Sequence, residues 1–438
     1  MSGDTIAAVA TAAGPAGVAV VRVSGPGAFG VAFRLTGRPA EPGRISFRTL
    51  RGPGGAVIDR CVVLAFAAPR SYTGEDVVEF QCHGGSVTPR RVLEAAFAAG
   101  ARLARRGEFT ERALLCGRID YDQAESVLAL VNAKTDRAAD FALEGIAGRA
   151  GRAGRRLYDL AVSLSSRLEH ALDVSEGELP AGFAADSRAE LEALARELDG
   201  AIAKTREGRI LRDGALVVLA GPPNSGKSSL MNALLGESRA IVSPTPGTTR
   251  DSIEEWLDLR GWPVRLADTA GLRATSDEIE AEGVRRAERL ISGADVVLRV
   301  EDASAPARPA AQGTGPREIR VVSKCDLLPE GTPAPAGAVC ASALTGAGMD
   351  ALRDAIAARL ESLAAAGGDT VEDAGERGLS TFARARSEIR ACLAATGEDL
   401  VLLANCARSV SEELGALVGA EYSADLLENL FSRFCVGK

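Results

Sequence analysis

The chain has 438 residues, of which 46% are apolar and 25% are charged, and its formal net charge at pH 7 is −8. A chain this long is too large for a single ordinary core, so we expect two to four globular domains. The acidic balance argues against a protein that coats nucleic acid generally, although it leaves room for a local basic patch.

Targeting and membrane signals are not found in the sequence. No stretch approaches the roughly 20 uninterrupted apolar residues of a membrane span, and the first residues lack the basic start and apolar core of a signal peptide. The eight cysteines are scattered and the chain has two histidines, which speaks against a disulfide framework and a Cys/His zinc site. We therefore expect a reduced, cytoplasmic protein with no membrane association.

Residues 1–118 have the mixed pattern of an α+β domain. Gly17–Val23 and Val57–Phe66 are predicted strands, with turn-rich Gly/Pro stretches between them. Arg22 is a lone cation in the first strand, and it either faces water at a strand end or contacts an anion or ligand. His83 lies in a glycine turn with no partner visible in the sequence, which favours a structural role over a catalytic one.

Helical patterns follow over residues 119–213 and resume over residues 363–438, so a discontinuous all-α domain is expected. One amphipathic stripe consists of Leu157, Leu160, Leu164, Leu168 and Leu172. Ser187 and Glu190 have the spacing of a capping box that opens another helix. That helix carries Leu191, Leu194, Leu198 and Ile202 on one face. A basic stripe is formed by Arg149, Arg152, Arg155 and Arg156. It is either a solvated helix face or an RNA contact.

The stretch Gly221–Ser229 is a P-loop pattern at the start of an inserted α/β domain over residues 214–362. It follows the apolar run Leu216–Ala220 and precedes the helical run Leu230–Leu235, which is the strand–turn–helix context that makes this pattern a phosphate cradle. The expected nucleotide contacts in this stretch are Asn224, Ser225, Gly226, Lys227, Ser228 and Ser229. Lys227 can reach the β- and γ-phosphates, and the Ser228 hydroxyl can ligate Mg²⁺.

Further motifs follow in the order expected of a guanine-nucleotide site. The run Asp268, Thr269, Ala270 and Gly271 closes a predicted strand, where an acidic group can hold Mg²⁺ through water. Residues 247–251 form a polar loop that is suited to a switch. The later run Ser323–Asp326, with Lys324 inside it, ends in a carboxylate that can accept from guanine N1–H and the 2-amino group. Ser342 and Ala343 are expected to contact the guanine oxygen, so the chain is predicted to be a GTPase.

The residue after Gly271 is Leu272, where Ras-like enzymes carry a glutamine that orients water. An apolar side chain cannot position water, so the catalytic group must come from elsewhere. The nearby acidic candidates are Asp277, Glu278 and Glu280.

With these motifs, the sequence resembles the MnmE (TrmE) family of tRNA-modification GTPases, which is of the TrmE-Era-EngA type. The resemblance covers essentially the whole chain. It includes Asp4–Ala7, Tyr72–Glu79, Arg106–Arg112, the GTPase motifs and the terminal Phe434–Lys438, where Val436 replaces the family's Ile.

The resemblance implies an N-terminal folate-binding and dimerisation domain, the discontinuous helical domain and a Ras-like G domain. Members act with the flavoprotein MnmG, in a heterotetramer with the MnmE homodimer, to modify carbon 5 of the wobble uridine of certain tRNAs. They add an aminomethyl or carboxymethylaminomethyl group. The carbon comes from 5,10-methylene- or 5-formyl-tetrahydrofolate. Matching folate contacts are Arg22, Glu79, Arg118 and Lys438, and Cys435 is either a reactive thiol or a packing residue.

The resemblance also implies that G domains dimerise across their nucleotide faces and bind K⁺ in place of an arginine finger. The matching K⁺ ligands are Asn224, Ser243, Thr245 and Thr248. Thr249 would join Ser228 on Mg²⁺, and Glu280 matches the family's catalytic switch glutamate, acting with Lys227 and Thr249.

One departure from the guanine-recognition pattern is Ser323, which stands where an asparagine usually braces the P-loop. Because serine is shorter, we predict somewhat weaker nucleotide binding, with guanine selectivity kept through Asp326. Two alternatives remain open at this point: a ribosome-assembly GTPase switch, and a folate-dependent transferase that acts alone with an inactive G domain.

Overall fold

The computed structural model describes residues 3–173, 179–237, 254–269, 285, 288–304, 315, 317–329, 335–365, 377–395, 397, 399–418 and 424–438. The chain forms two compact units. The first comprises Met1–Leu128, Gly145–Gly151 and Ala420–Lys438, and the second comprises Ala129–Glu144 and Arg152–Gly419. The boundaries of the three domains inferred from the sequence stay a prediction.

The first unit is built on a six-stranded sheet with the strand order β3-β4-β5-β2-β1-β6. Its elements are β1 (Ile6–Val9), β2 (Ala19–Ser24), α1 (Ala28–Thr36), β3 (Ser46–Arg51), β4 (Val57–Phe66), β5 (Val77–Cys82), α2 (Thr88–Ala98), β6 (Arg102–Leu103) and α3 (Glu108–Leu115). The pairs are antiparallel except β1 with β6, which is parallel. The strand predicted over 57–66 is confirmed, and the one predicted over 17–23 lies two residues later at its start.

The side chains of β2 point alternately to the two faces of this sheet, and this places Arg22 on a different face from its neighbours. Val21 and Val23 are fully buried in the core under α1 and α2. Successive side chains of a strand point to opposite faces, so Arg22 lies on the face away from those helices. In the antiparallel register Arg22 lies opposite Glu79 of β5. The sheet therefore places two of the predicted folate contacts side by side.

Long helices build much of the second unit. The remaining helices with bounds in the described ranges, of which α12 and most of α4 belong to the first unit, are α4 (Tyr121–Asn132), α5 (Asp136–Ile146), α6 (Arg149–Leu172), α7 (Phe183–Asp213), α8 (Lys227–Glu237), α9 (Met349–Ala365), α10 (Arg377–Ala395), α11 (Leu400–Val418) and α12 (Ala424–Ser432). Helices α6, α7, α10 and α11 share one apolar core, which confirms the helical pattern on both sides of the nucleotide-binding segment. None of the helices in the described ranges is long and apolar enough to cross a membrane.

Two details of the helix predictions are wrong. Leu157, Leu164 and Leu168 are buried, but Leu160 and Leu172 are each 43% exposed, because the core contacts a narrower stripe of α6 than the leucine spacing suggests. The capping box at Ser187 is not a helix start: α7 begins at Phe183, and Ser187 is buried within it. All four predicted core residues of α7 are buried, namely Leu191, Leu194, Leu198 and Ile202.

Residues 215–341, within the α/β domain predicted over 214–362, contain a second six-stranded sheet with the order β12-β11-β10-β7-β9-β8. Its strands are β7 (Ala215–Ala220), β8 (Glu254–Leu259), β9 (Trp262–Asp268), β10 (Val296–Asp302), β11 (Glu318–Ser323) and β12 (Ala338–Ala341). All pairs are parallel except β8 with β9. Because the carboxyl ends of parallel strands meet at one edge, the last residues of β7, β9, β10, β11 and β12 lie at the same edge of the sheet. This is the Ras-like α/β architecture that the motif order predicts.

Candidate functional site

The P-loop connects the fully buried strand β7 to α8, which begins at Lys227. Gly221 is required by close packing: a Cβ atom there would lie 2.2 Å from the Val300 carbonyl oxygen. Gly226 has a φ of +86°, and its added Cβ would lie 3.2 Å from Ser323 Oγ. The Ser225 hydroxyl is buried inside the loop with no hydrogen-bond partner among the described residues. The backbone therefore forms the tight, polar cradle that a phosphate chain requires.

Lys227 and Ser228 lie at the mouth of this cradle. Lys227 Nζ donates to the carbonyl oxygens of Gly221 at 3.0 Å and Pro222 at 2.8 Å. Ser228 Oγ donates to Asp268 Oδ2 at 2.6 Å, at the end of β9. A hydroxyl and a carboxylate are oxygen donors of the kind that Mg²⁺ prefers, so these two residues fit the predicted metal. Thr269 turns inward, and its hydroxyl donates to the Leu219 carbonyl oxygen at 2.9 Å.

Ser323 reaches the P-loop despite its short side chain. Its Oγ lies 2.5 Å from the Ser225 carbonyl oxygen and 3.0 Å from the Glu301 carbonyl oxygen. A hydroxyl has one proton, so that proton is shared between two acceptors. Serine therefore still contacts the P-loop backbone, which its shorter side chain did not lead us to expect. The predicted weaker affinity stays a prediction.

Lys324 makes a second link between this segment and the P-loop. Its Nζ donates to the Asn224 carbonyl oxygen at 2.9 Å and to Asp302 Oδ2 at 2.6 Å. The hydrogen bond from Lys324, together with those from Ser304, lowers the pKa of Asp302 to about 2. Asp302 was not predicted from the sequence, although an acidic residue at the end of a central parallel strand is a signal that sequence reasoning could have used.

The predicted guanine-recognition residues are also brought together. The Ser342 hydroxyl donates to Asp326 Oδ1, and the Ser342 backbone N–H donates to the Ala347 carbonyl oxygen at 2.8 Å. Ser342 is fully buried, so its side chain orients the carboxylate. The sequence predicted only a backbone contact from this residue.

The described residues do not cover the whole predicted nucleotide site. Ten residues of the predicted site lie outside the described ranges: Ser243, Thr245, Thr248, Thr249, Ala270, Gly271, Leu272, Asp277, Glu278 and Glu280. Asn224 is exposed at the P-loop with a φ of +60°, and it is the one predicted K⁺ ligand that the structure describes. Ser229 is exposed in the first turn of α8, and Ala343 is half-buried after Ser342.

A second polar site lies on the face of the first sheet that is opposite α1 and α2. Arg22 Nε donates to Glu79 Oε1 at 2.8 Å, and the two side chains are 22% and 16% exposed. The guanidinium carbon of Arg22 lies 5.6 Å from the ring centroids of both Tyr72 and Phe109. Tyr72 in turn hydrogen-bonds Thr110 through their hydroxyls at 2.8 Å. The site thus combines a cation, a carboxylate and two aromatic rings.

The last residues of the chain pack against this site. The backbone N–H of Phe109 donates to the Lys438 carbonyl oxygen at 3.2 Å, and that of Gly107 donates to the Cys435 carbonyl oxygen at 3.4 Å. Burial, and then the positive charge of Arg22, lower the pKa of the Lys438 ammonium. A cation pair that is partly shielded from water favours an anionic ligand. Lys438 therefore lies close enough to Arg22 to feel its charge, and its role as a folate contact stays a prediction.

Arg118, which the resemblance also assigns to the folate site, and Cys435 are more exposed than Arg22 and Glu79. Arg118 is exposed, and a Cβ added to Gly74 would lie 3.0 Å from its Cγ, so its stem packs over the Tyr72–Glu79 segment. Cys435 is exposed, so its side chain is not packed inside the unit. Whether its thiol reacts stays a prediction.

Several family-motif residues serve the fold of the first unit. Arg112 is buried and forms ion pairs with Asp4, Glu75 and Glu108 at 2.8 to 3.1 Å. Burial alone would raise the pKa of Glu108, but hydrogen bonds from the Arg102 side chain, the Arg105 backbone and Arg112 lower it to about 2. These residues hold α3 against β1.

His83 and the basic stripe are placed on the surface. Asp59 accepts from the His83 backbone N–H at 2.8 Å and lies 2.8 Å from its ring Nδ1, which is consistent with the predicted structural role. Arg152 and Arg155 are exposed on α6, and Arg156 pairs with Glu197 at 2.9 Å. The choice between a solvated face and an RNA contact stays open.

Comparison with known proteins gives matches along the whole chain. Residues 5–118 match the family described as "GTP-binding protein TrmE N-terminus", and residues 122–435 match the family described as "MnmE helical domain". The chain is 43% identical to the tRNA modification GTPase MnmE of Alkalilimnicola ehrlichii and 41% identical to that of Symbiobacterium thermophilum, in each case covering 100% of both chains. Among solved structures, the G domain of the T. maritima FeoB iron transporter is 26% identical, covering 33% of this chain and 98% of that one, with a TM-score of 0.23.

Proposed function

The chain belongs to the MnmE family of tRNA modification GTPases, and we propose that its GTPase activity serves modification of carbon 5 of the wobble uridine in tRNA. In this proposal a flavoprotein partner of the MnmG type takes part, and the product carries an aminomethyl or carboxymethylaminomethyl group. When bound, a tetrahydrofolate derivative supplies the one-carbon unit.

The observation that carries this proposal is the cluster of Arg22, Glu79 and Lys438 beside the ring of Tyr72. A folate has a flat heteroaromatic ring with N–H donors and a tail with carboxylates. Glu79 offers an acceptor for the N–H groups of the folate ring. The positive side chains of Arg22 and Lys438 suit a carboxylate of the folate tail. An RNA-binding switch would have no need of this combination in a half-buried site, so the cluster favours tRNA modification over ribosome assembly.

In the G domain we assign roles to residues in line with the family resemblance. Lys227 would bind the β- and γ-phosphates, and Ser228 with Thr249 would hold Mg²⁺. Asn224, Ser243, Thr245 and Thr248 would hold K⁺, and Glu280 would orient the attacking water. When bound, the two cations supply positive charge that offsets the charge developing on the phosphates. The close approach of Ser228 Oγ to Asp268 supports the Mg²⁺ assignment.

We further propose that the protein acts in the cytoplasm as a homodimer, which joins the flavoprotein in a heterotetramer. The two G domains would meet across their nucleotide faces, as the resemblance implies. K⁺ would then act on the exposed side of the P-loop, where Asn224 lies.

The first test compares GTP hydrolysis by the full chain in KCl and in NaCl at matched ionic strength. We expect K⁺ to stimulate the reaction and Asn224→Ala to abolish the stimulation. Asn232→Ala is the matched control, because Asn232 is also an exposed asparagine and lies on α8. Equal rates in the two salts would contradict the K⁺ assignment.

The second test measures binding of 5-formyl-tetrahydrofolate to the full chain. We expect Arg22→Ala to weaken binding about 10-fold or more, since a charge-assisted contact is lost. Arg44→Ala is the control, because Arg44 is a surface arginine of the same unit that pairs with the exposed Glu41. Absence of folate binding by the unaltered protein would overturn the proposal and reopen the assembly-switch alternative.

A further inference from the structure

Asp302 ends β10 at the edge of the sheet where the nucleotide motifs converge. Its two carboxylate oxygens have different partners. Oδ1 accepts from the Ser304 backbone N–H at 2.8 Å and from the Ser304 hydroxyl at 2.6 Å. Oδ2 accepts from Lys324 Nζ at 2.6 Å. The residue thus caps its own turn and also holds the lysine of the guanine-recognition segment.

Lys324 joins two turns that have an unusual backbone. Its Nζ also donates to the Asn224 carbonyl oxygen at 2.9 Å. Lys324 has a φ of +56° and Asn224 has a φ of +60°, and within the described ranges one other non-glycine residue, Arg260, has a positive φ. Side-chain-bearing residues adopt this region at a cost, and they stay there when surrounding contacts hold them. The Lys324 ammonium is such a contact for both turns.

We propose that Asp302 is a positioning residue of the nucleotide site, which acts through Lys324 to hold the P-loop at Asn224 in its nucleotide-binding conformation. A lysine side chain is a flexible stem that carries a point charge, so one carbonyl alone does not determine where its ammonium lies. The Asp302 carboxylate supplies the second, charged contact. Holding the loop before nucleotide arrives avoids an ordering cost on binding.

The surroundings of the pair suit this role. The Asp302 side chain is 17% exposed and that of Lys324 is 38% exposed, so water screens the pair only in part. The carboxylate is ionised at neutral pH, and the hydrogen bonds from Lys324 and Ser304 lower its pKa further, to about 2. The inference rests on guanine-nucleotide binding by this family, and it adds a residue outside the nucleotide motifs.

Asp302→Asn separates the two contacts. Asparagine keeps an oxygen that can accept from Ser304, but its amide nitrogen is a donor and cannot accept from an ammonium. The variant therefore keeps the hydrogen bonds to Ser304 and loses the charged contact with Lys324. If Asp302 served only to cap its turn, Asp302→Asn would behave like the unaltered protein.

The test measures release of a fluorescent GDP analogue from the full chain by stopped flow. We expect Asp302→Asn to speed release about 10-fold, as for loss of a hydrogen bond to a charged group. Lys324→Met should speed it at least as much. The double variant should match Lys324→Met, because Asp302 acts through that lysine.

Glu318→Gln is the matched control. Glu318 begins β11 and pairs with Arg299 of β10 at 2.8 Å, with the side chains 25% and 45% exposed. It joins the same two strands at the opposite end of β11, so release should stay unchanged. Unaltered release from Asp302→Asn, or effects of Asp302→Asn and Lys324→Met that add in the double variant, would overturn the proposal. Failure of the unaltered protein to bind the analogue would instead overturn guanine-nucleotide binding itself.

Discussion

Replacing Gly437 with alanine should detach the last residues of the chain from the proposed folate site. Gly437 has a φ of +103°, and an added Cβ would lie 2.3 Å from the Val9 carbonyl oxygen and 3.0 Å from the Ala10 Cα. Both are backbone atoms of the segment that begins in β1, so they cannot move aside cheaply. The backbone conformation alone costs about 1–3 kcal/mol for a residue with a side chain, and the clash adds to it.

The contacts that hold residues 435–438 in place contribute a free energy similar to this strain. Two backbone hydrogen bonds, to the carbonyl oxygens of Cys435 and Lys438, contribute about 1 kcal/mol each, and the first of them belongs to the short antiparallel bridge between Val436 and Arg106. The strain therefore matches or exceeds what retains the segment, and we expect residues after Phe434 to leave while Phe434 itself stays buried. Lys438 would then no longer lie beside Arg22.

Isothermal titration of 5-formyl-tetrahydrofolate into the full chain measures the consequence. We expect binding at least about 10-fold weaker in Gly437→Ala, with basal GTP hydrolysis unchanged. Gly37→Ala is the control: Gly37 has a φ of +70°, but its added Cβ would meet nothing within 4 Å. Wild-type folate affinity in Gly437→Ala would refute the argument that the terminal segment completes the site.

Three further predictions concern binding and stability. Ser323→Ala should weaken GDP binding about 10-fold in a fluorescence titration, because the Ser225 carbonyl oxygen loses its partner in a buried site. Glu108→Gln should destabilise the protein at neutral pH by about 3 kcal/mol in urea unfolding, since the pKa of Glu108 falls from 4.5 to about 2 on folding. Leu198→Ala, at a fully buried position, should cost about 2–5 kcal/mol in the same assay.

Each of these has a condition that would contradict it. Ser323→Asn should bind GDP at least as well as the unaltered protein, and equal binding by the alanine variant would remove the bracing role. The contribution of Glu108 is present above pH 4.5 and is lost as the pH falls towards 2, because its folded pKa is the lower one; a Glu108→Gln effect that persists undiminished at pH 2 would contradict it. Leu160→Ala, at a 43% exposed position, should cost less than about 0.5 kcal/mol, and equal costs for the two leucines would contradict the described core.

The nucleotide domain could be predicted from the sequence because its signals are local. Gly221–Ser229 is one strand–turn–helix unit, and its backbone cradle forms from neighbouring residues. The later motifs each end a strand of a parallel sheet, so their convergence follows from the topology. Local spacing was less informative in the helices, where Ser187 has the pattern of a cap but lies inside α7.

Only the tertiary structure decided which distant side chains meet. Ser323 contacts the P-loop because parallel strands β10 and β11 bring its short hydroxyl against Ser225, and side-chain length alone suggested otherwise. Asp302 lies at the site because β10 pairs with β11 and brings its carboxylate against Lys324. Lys438 and Arg22 come from opposite ends of the chain, and hydrogen bonds to the backbone around α3 bring them together. A sequence specifies its local turns and its apolar periodicity, whereas long-range neighbours depend on how whole elements pack against one another.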